Sequence, residues 1–161
     1  MAKIVGALAL VLLILIPTGV FVAGQFNLLA GTRPTDIGVH DGMLKAPGEQ
    51  TRNVVSSQAA SQPHSDYSLI APLRFQGDPG AAFARLQALL RTMPNVTIVT
   101  AQPTYLHAEF RTRMLHFVDD VEFLLDAQHG VIHMRSASRL GRRDFGANRA
   151  RLEQIRTAFG G

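Results

Sequence analysis

Arg135, Ser136, Ser138, Arg139, Asp144, Asn148 and Arg149 fall within fifteen consecutive positions, with Gly141 and Gly146 among them. Hydroxyls and guanidinium groups there run through a glycine-containing turn into what reads as a helix N-terminus. Free backbone N–H groups and the helix dipole favour an anion at such a place. Arginine adds forked hydrogen bonds to carboxylate or phosphate. That chemistry suits an anionic small molecule, a lipid headgroup or an acidic loop of a membrane-protein partner. The competing explanation is internal: Asp144 caps its own helix while the arginines pair with neighbouring acids. Asn148 falls on the apolar stripe of that helix, where a buried amide must find partners. The backbone of Asn53–Gln58 is a plausible client.

A second group is Asp119-Asp120-Val121-Glu122. On a strand Asp120 and Glu122 share one face, which is the arrangement for acid–base work or a hard cation. Asp119 faces the other way unless it lies in a bend. Cross-strand pairing with Arg111, Arg113 or Arg135 explains the same acids without chemistry. None of His107, His116, His129 and His133 shows a ligand spacing such as H-x-x-x-H on a helix, and no metal or cofactor is assigned. The chain has no cysteine, which removes thiol nucleophiles, disulfides and zinc–thiolate sites. It also lacks a G-x-S-x-G elbow, a P-loop and a dinucleotide fingerprint.

The elements that must position these groups are legible as pattern. Ser68–Phe75 reads as a first strand. Asp78 stands where an N-cap belongs, Pro79 at the first helical position, and Phe83, Leu86, Leu90 and Met93 follow at helical spacing. Val96–Ala101 is rich in β-formers. Tyr105–Met114 alternates, with Leu106, Ala108, Phe110 and Met114 on one side and His107, Glu109, Arg111 and Arg113 on the other. Val118–Asp126 and Val131–Ser138 alternate likewise. Period-two alternation predicts an antiparallel sheet with one wet face. A final helix follows, with Phe145, Leu152, Ile155 and Phe159 as its stripe. The expectation is an α+β domain: a mostly antiparallel sheet of about five strands with two helices on one face, order βαββββα.

Ahead of that domain, Ile4 to Phe26 contains no charged residue. Twenty-three residues at helical rise span roughly 34 Å, enough to cross a bilayer. Lys3 precedes the run and no charge follows until Arg33, which places the rest of the chain on the extracytoplasmic, periplasmic side of a cell envelope. A cleaved signal peptide ending near Val22-Ala23-Gly24 is the rival reading, and a retained anchor is preferred because the apolar run continues to Phe26. Both readings export the domain. The division is therefore an anchor or uncleaved signal over residues 1–30, an extended linker over 31–64, and the domain over 65–161. Gly31 to about Pro63 reads as a tether, with Asn53–Ala59 draped on the domain.

The net charge of +4 is local: residues 135–156 hold seven arginines against Asp144 and Glu153, and the rest sums to −1. No aromatic reading motif accompanies the arginines, so nucleic acid is not an expected partner.

Three segments together resemble one family. They are Asn53-Val54-Val55-Ser56-Ser57-Gln58-Ala59, Phe117-Val118-Asp119-Asp120-Val121-Glu122-Phe123, and Arg135–Asn148 continuing through Arg149 and Arg151. In this order they resemble the DUF1499 family, from about Gly38 to the C-terminus. Members often carry two cysteines, at places that fall near Gly48 and Val54 here. Loss of both suggests that the pair is a staple rather than a reaction centre. The resemblance implies a bacterial envelope or plastid setting and supplies no activity.

The functional expectation is a membrane-tethered binding or assembly module. Its contact surface would be the arginine-rich loop and final helix start, with Ser56 and Ser57 folded over it. The alternatives are an enzyme for an anionic substrate, with Asp120 or Glu122 as acid–base group, and a lipid-handling envelope domain with an apolar cavity.

Overall fold

The fold comes from a computed structural model that describes residues 1–160, and for residues 2, 3 and 7 the backbone alone. The uncharged N-terminal run forms helix α1, Ala2–Gln25. Its side chains project into the surroundings along nearly its whole length, for example Ile4 at 74% and Leu13 at 71% exposure. The helix is long and apolar enough to cross a membrane.

A two-stranded hairpin follows, β1 (Val39–His40) and β2 (Met43–Leu44), turning through Asp41 and Gly42, both at positive φ. The remaining elements are β3 (Val54–Ser56), β4 (Leu73–Arg74), α2 (Pro79–Thr92), β5 (Val96–Ala101), β6 (Tyr105–Arg111), β7 (Val118–Asp126), β8 (Val131–Ser138) and α3 (Ala147–Phe159). Asp78 caps α2 through Ala81 N at 2.7 Å, and Pro79 opens the helix where its missing N–H costs nothing.

The sheet is antiparallel and runs β3-β8-β7-β6-β5, with β4 also paired to β8. β3 and β4 share one edge of β8 end to end: Val54–Ser56 lie against Arg135–Ala137, and Leu73–Arg74 against Val131–Ile132. One apolar cluster joins Phe83, Leu86 and Leu90 of α2 and Leu152, Ile155 and Phe159 of α3 to Leu106, Val121, Phe123, Ile132 and Met134. The chain is thus α+β, with an antiparallel sheet and an N-terminal apolar helix.

Four local expectations are corrected. The strand expected over Ser68–Phe75 shrinks to Leu73–Arg74. Asp66–Ser68 is instead a 3-10 turn, and the edge of β8 is already shared with β3. Val54–Ser56 is a strand of the sheet rather than a draped tether, with Val55 fully buried in the core. Met114 is 67% exposed, because β6 ends at Arg111. Phe145 is 97% exposed in a left-handed conformation (φ 53°), because α3 begins only at Ala147.

The second face of the sheet is not wet. The chain from Arg33 to Leu44 runs across it: Arg33 donates to Glu109, Gly38 N–H donates to Glu122, and Leu44 is 1% exposed. The row of charge that alternation placed outside is covered by chain that shows no periodicity of its own.

Candidate functional site

Strand register lines up the covered charges. Glu109 on β6 stands opposite Asp120 on β7, His107 opposite Glu122, and Glu122 opposite Arg135 on β8. Arg135 Nη1 donates to Glu122 Oε2 at 2.8 Å, while Tyr105 OH (2.9 Å) and Gly38 N–H (2.8 Å) donate to Oε1. Arg139 forks onto Asp120, Nε to Oδ2 at 2.8 Å and Nη2 to Oδ1 at 2.7 Å, and reaches Glu109 at 2.5 Å. His107 Nε2 is 2.8 Å from Asp120 Oδ1, and Arg33 donates to Glu109 at 2.7 Å. Glu122, Asp120, His107 and Arg135 are all buried.

Burial alone would raise the Asp120 and Glu109 carboxyls. The hydrogen bonds and charge of Arg139, with those of His107 and Arg33 respectively, more than offset it and hold both below the usual carboxylate range. Burial and the Glu122 charge push the Tyr105 phenol well above its ordinary value. Asp120 and Glu122, the candidates for acid–base work, are therefore tied into pairs on a covered face.

The motif residues divide between the two faces because side chains alternate along β8. Arg135 and Arg139 go to the covered charged face, and Ser136 and Ser138 go to the face that carries α3. There Ser136 Oγ donates to Asn148 Oδ1 at 2.5 Å. Asn148 Nδ2 donates to Asn53 O and to Ser138 Oγ, both at 2.9 Å. Arg151 donates to Asn148 Oδ1 (2.7 Å), Ser136 Oγ (3.0 Å) and Asp119 Oδ2 (2.5 Å). Asn53 Nδ2 donates in turn to Gly141 O at 2.8 Å.

Ser56 is buried beside the amide of Gln58, and Ser57 Oγ accepts from Met134 N at 2.9 Å. Asp144 accepts from Asn148 N (2.8 Å), Gly146 N (3.1 Å) and the Tyr67 hydroxyl, so it does anchor the start of α3. Burial and that carboxylate push the Tyr67 phenol up to about 12. Arg149 donates to the carbonyls of Tyr67 (2.7 Å) and Leu69 (2.8 Å). Of the seven arginines in residues 135–156, Arg135, Arg139, Arg149, Arg151 and Arg156 are engaged internally.

Arg142 and Arg143 are different. Both are exposed and make no side-chain hydrogen bond or ion pair among the described residues. They belong to the loop Leu140–Gly146, beside a cleft of about 280 Å³ whose lining includes Thr112, Phe117, Val118, Leu140, Arg143 and Phe145. The same end of the domain receives the foot of α1. Gln25 Nε2 donates to Met114 O at 2.9 Å, and Arg111 donates to Asn27 Oδ1. A Cβ at Gly24 would lie 2.7 Å from Leu115 O, so only glycine lets the helix approach this closely.

The sequence expectation takes the arginine-rich loop as the contact surface but singles out Arg135, Arg139 and Arg149 as its site residues rather than Arg142 and Arg143, and places Phe145 on the helix stripe. One feature separates the two sets. Arg142, Arg143 and Phe145 lie between Gly141 and Gly146, both at positive φ, where the chain turns outward and the one acid of the loop, Asp144, is taken up by Tyr67 and backbone N–H groups.

A family model described as "Protein of unknown function (DUF1499)" matches residues 46–159. No curated protein and no solved structure matches the chain.

Proposed function

The chain belongs to the DUF1499 family, and from that premise we propose that it is a membrane-anchored binding or assembly module whose contact surface is the loop Leu140–Gly146 and its adjoining cleft. The observation that carries this reading is the contrast within one arginine-rich motif. Arg135, Arg139, Arg149 and Arg151 are consumed in holding the fold, whereas Arg142 and Arg143 are left exposed, with Arg143 lining an apolar recess. A recess bordered by cations fits a partner with an apolar part and a negative one.

Support for the anchor comes from α1. Its apolar side chains have no protein cover, and its last turn is fitted to Leu115 and Met114, as expected of a segment retained in the mature protein. Lys3 before the helix and the uncharged stretch after it support an extracytoplasmic domain. A lipid-handling role draws on the same cleft, which opens at the anchor end. The binding reading is preferred to an enzyme with Asp120 or Glu122 as acid–base group because both carboxylates are paired on a covered face.

Native mass spectrometry of the detergent-extracted protein tests the proposal. Wild type should carry a bound lipid, small molecule or subunit. Arg142→Ala with Arg143→Ala should shed it while circular dichroism stays native. Retention of the same bound mass by that double variant overturns the assignment of the contact surface.

A further inference from the structure

We propose that the end of the domain beside the foot of α1 is itself a bilayer contact, seated on anionic phospholipid through Phe145 and Met114 with Arg113, Arg142 and Arg143 around them. This rests on the reading of α1 as a membrane anchor.

The placement follows from the fold. Gly24 and Gln25 pack against Leu115 and Met114 in the β6–β7 connection, so the point where the apolar helix departs is fixed there. Register brings the chain after β8 to the same end, since Asp119 at the start of β7 pairs with Ser138 at the finish of β8. Gly31 lies against Arg139 Cβ and Leu140 and ties the chain leaving α1 to this loop.

Exposure marks the same end. Beyond α1 the four most exposed bulky apolar side chains are Phe145, Phe26, Leu28 and Met114. All four lie here, at 97, 74, 73 and 67%. Elsewhere among the described residues beyond α1 the exposed large apolar side chains are Val39 and Leu69, at 42 and 39%, and a concentration of more exposed ones marks a contact surface. Phe145 is not a frayed residue. Asp144 bonds Gly146 N and the Tyr67 hydroxyl, its own N–H bonds Arg52 O, and the left-handed φ of Phe145 is held between these.

Charge selects the occupant. Arg113, Arg142 and Arg143 have no acidic partner among the described residues; of the acids nearby, Glu109, Asp119 and Asp120 are each engaged by Arg139 or Arg151, and Asp144 by the Tyr67 hydroxyl and the backbone N–H groups of Gly146 and Asn148. Exposed apolar groups ringed by cations, beside the exit of an apolar helix, match an acyl boundary under anionic headgroups.

The chain has no tryptophan, so single replacements report depth without background. Full-length Phe145→Trp, Leu13→Trp and His129→Trp variants would be reconstituted in equimolar phosphatidylglycerol and phosphatidylcholine vesicles with brominated acyl chains. Residue 129 lies in the turn between β7 and β8 at the far end of the domain and is the aqueous control. We expect blue-shifted emission and loss of most intensity at positions 145 and 13, and red, unquenched emission at 129. Adding Arg142→Gln and Arg143→Gln should return the position-145 emission towards the red. Quenching at 13 with none at 145 overturns the bilayer seat and leaves the anchor standing. No quenching at 13 removes the anchor, and the seat with it. Full quenching at 145 despite the two Gln substitutions refutes the role of the cations.

Discussion

The side-chain amide of Asn148 donates to the backbone carbonyl of Asn53 at 2.9 Å, closing 95 residues of chain in one buried hydrogen bond. Asn148 lies on the first turn of α3 and Asn53 immediately precedes β3, so this contact fastens the segment before the domain's first helix to its last one. The same amide also engages Ser136 and Ser138.

Asn148→Leu should therefore destabilise well beyond the loss of one contact. It leaves the Asn53 carbonyl and the Ser136 hydroxyl buried with fewer partners, a cost of about 3 kcal/mol. Asn148→Asp keeps the shape but loses the donor to Asn53 and should do nearly as much harm. The urea midpoint of the purified chain measures both, and a shift within experimental error in either variant contradicts the pinning role.

Removal of the Arg139 guanidinium takes the shared cation from Asp120 and Glu109 and leaves them only His107 and Arg33 respectively. Arg139→Ala should cost about 3–5 kcal/mol, the range for breaking a buried pair on one side only. Adding Asp120→Asn and Glu109→Gln to the same chain should recover part of that loss. Denaturation of the single and triple variants decides it: if the triple variant is the less stable, the carboxylates are not what Arg139 serves.

The pH dependence has two steps of the same sign. Burial lowers His133 below its ordinary 6.5, with Asp126 pulling weakly the other way. Asp120 and Glu109 lie below 3.8 and 4.5, since their arginine partners outweigh burial. In each case the unfolded chain binds the proton more readily, so stability is complete above the unfolded value and is lost as pH falls. Urea midpoints should be level above about pH 7, decline gently below about 6.5, and drop steeply below about 4. His133→Gln should erase the gentle step alone. A midpoint that rises between pH 7 and 5 contradicts this account.

Truncation at residue 65 should not yield a folded domain, because Val55 belongs to the core and Asn53 and Ser56 are buried. A chain beginning at residue 31 should retain the near-ultraviolet dichroism of the full protein. Dispersed amide resonances from the 65–161 fragment would show that β3 is dispensable.

Helices and paired strands were readable because each has one apolar face and therefore a period: α2 and the bounds of β7 and β8 agree with the pattern. Glu122, Asp120 and Arg135 were harder. A row of alternating charge has the same signature whether water or another stretch of chain covers it. The cover, from Arg33 to Leu44, belongs to a stretch with the composition of a tether and contacts the sheet through single residues such as Gly38 and Leu44. Phe145 misled for a related reason. Its spacing from Leu152 fits a helical stripe, but the turn through Gly146 places it outside the helix. The candidate site was legible as a motif but not in its division by β8 into two faces.

The antiparallel pairing of Val54–Ser56 with Arg135–Ala137 also sets a timetable for biogenesis. A ribosome releases the first of these strands some eighty residues before its mate exists. Until then Val55 has no core to enter and the cover has no sheet to lie on. The edge of the sheet therefore closes only once β8 has been synthesised, and during that interval the nascent chain carries an unfinished core.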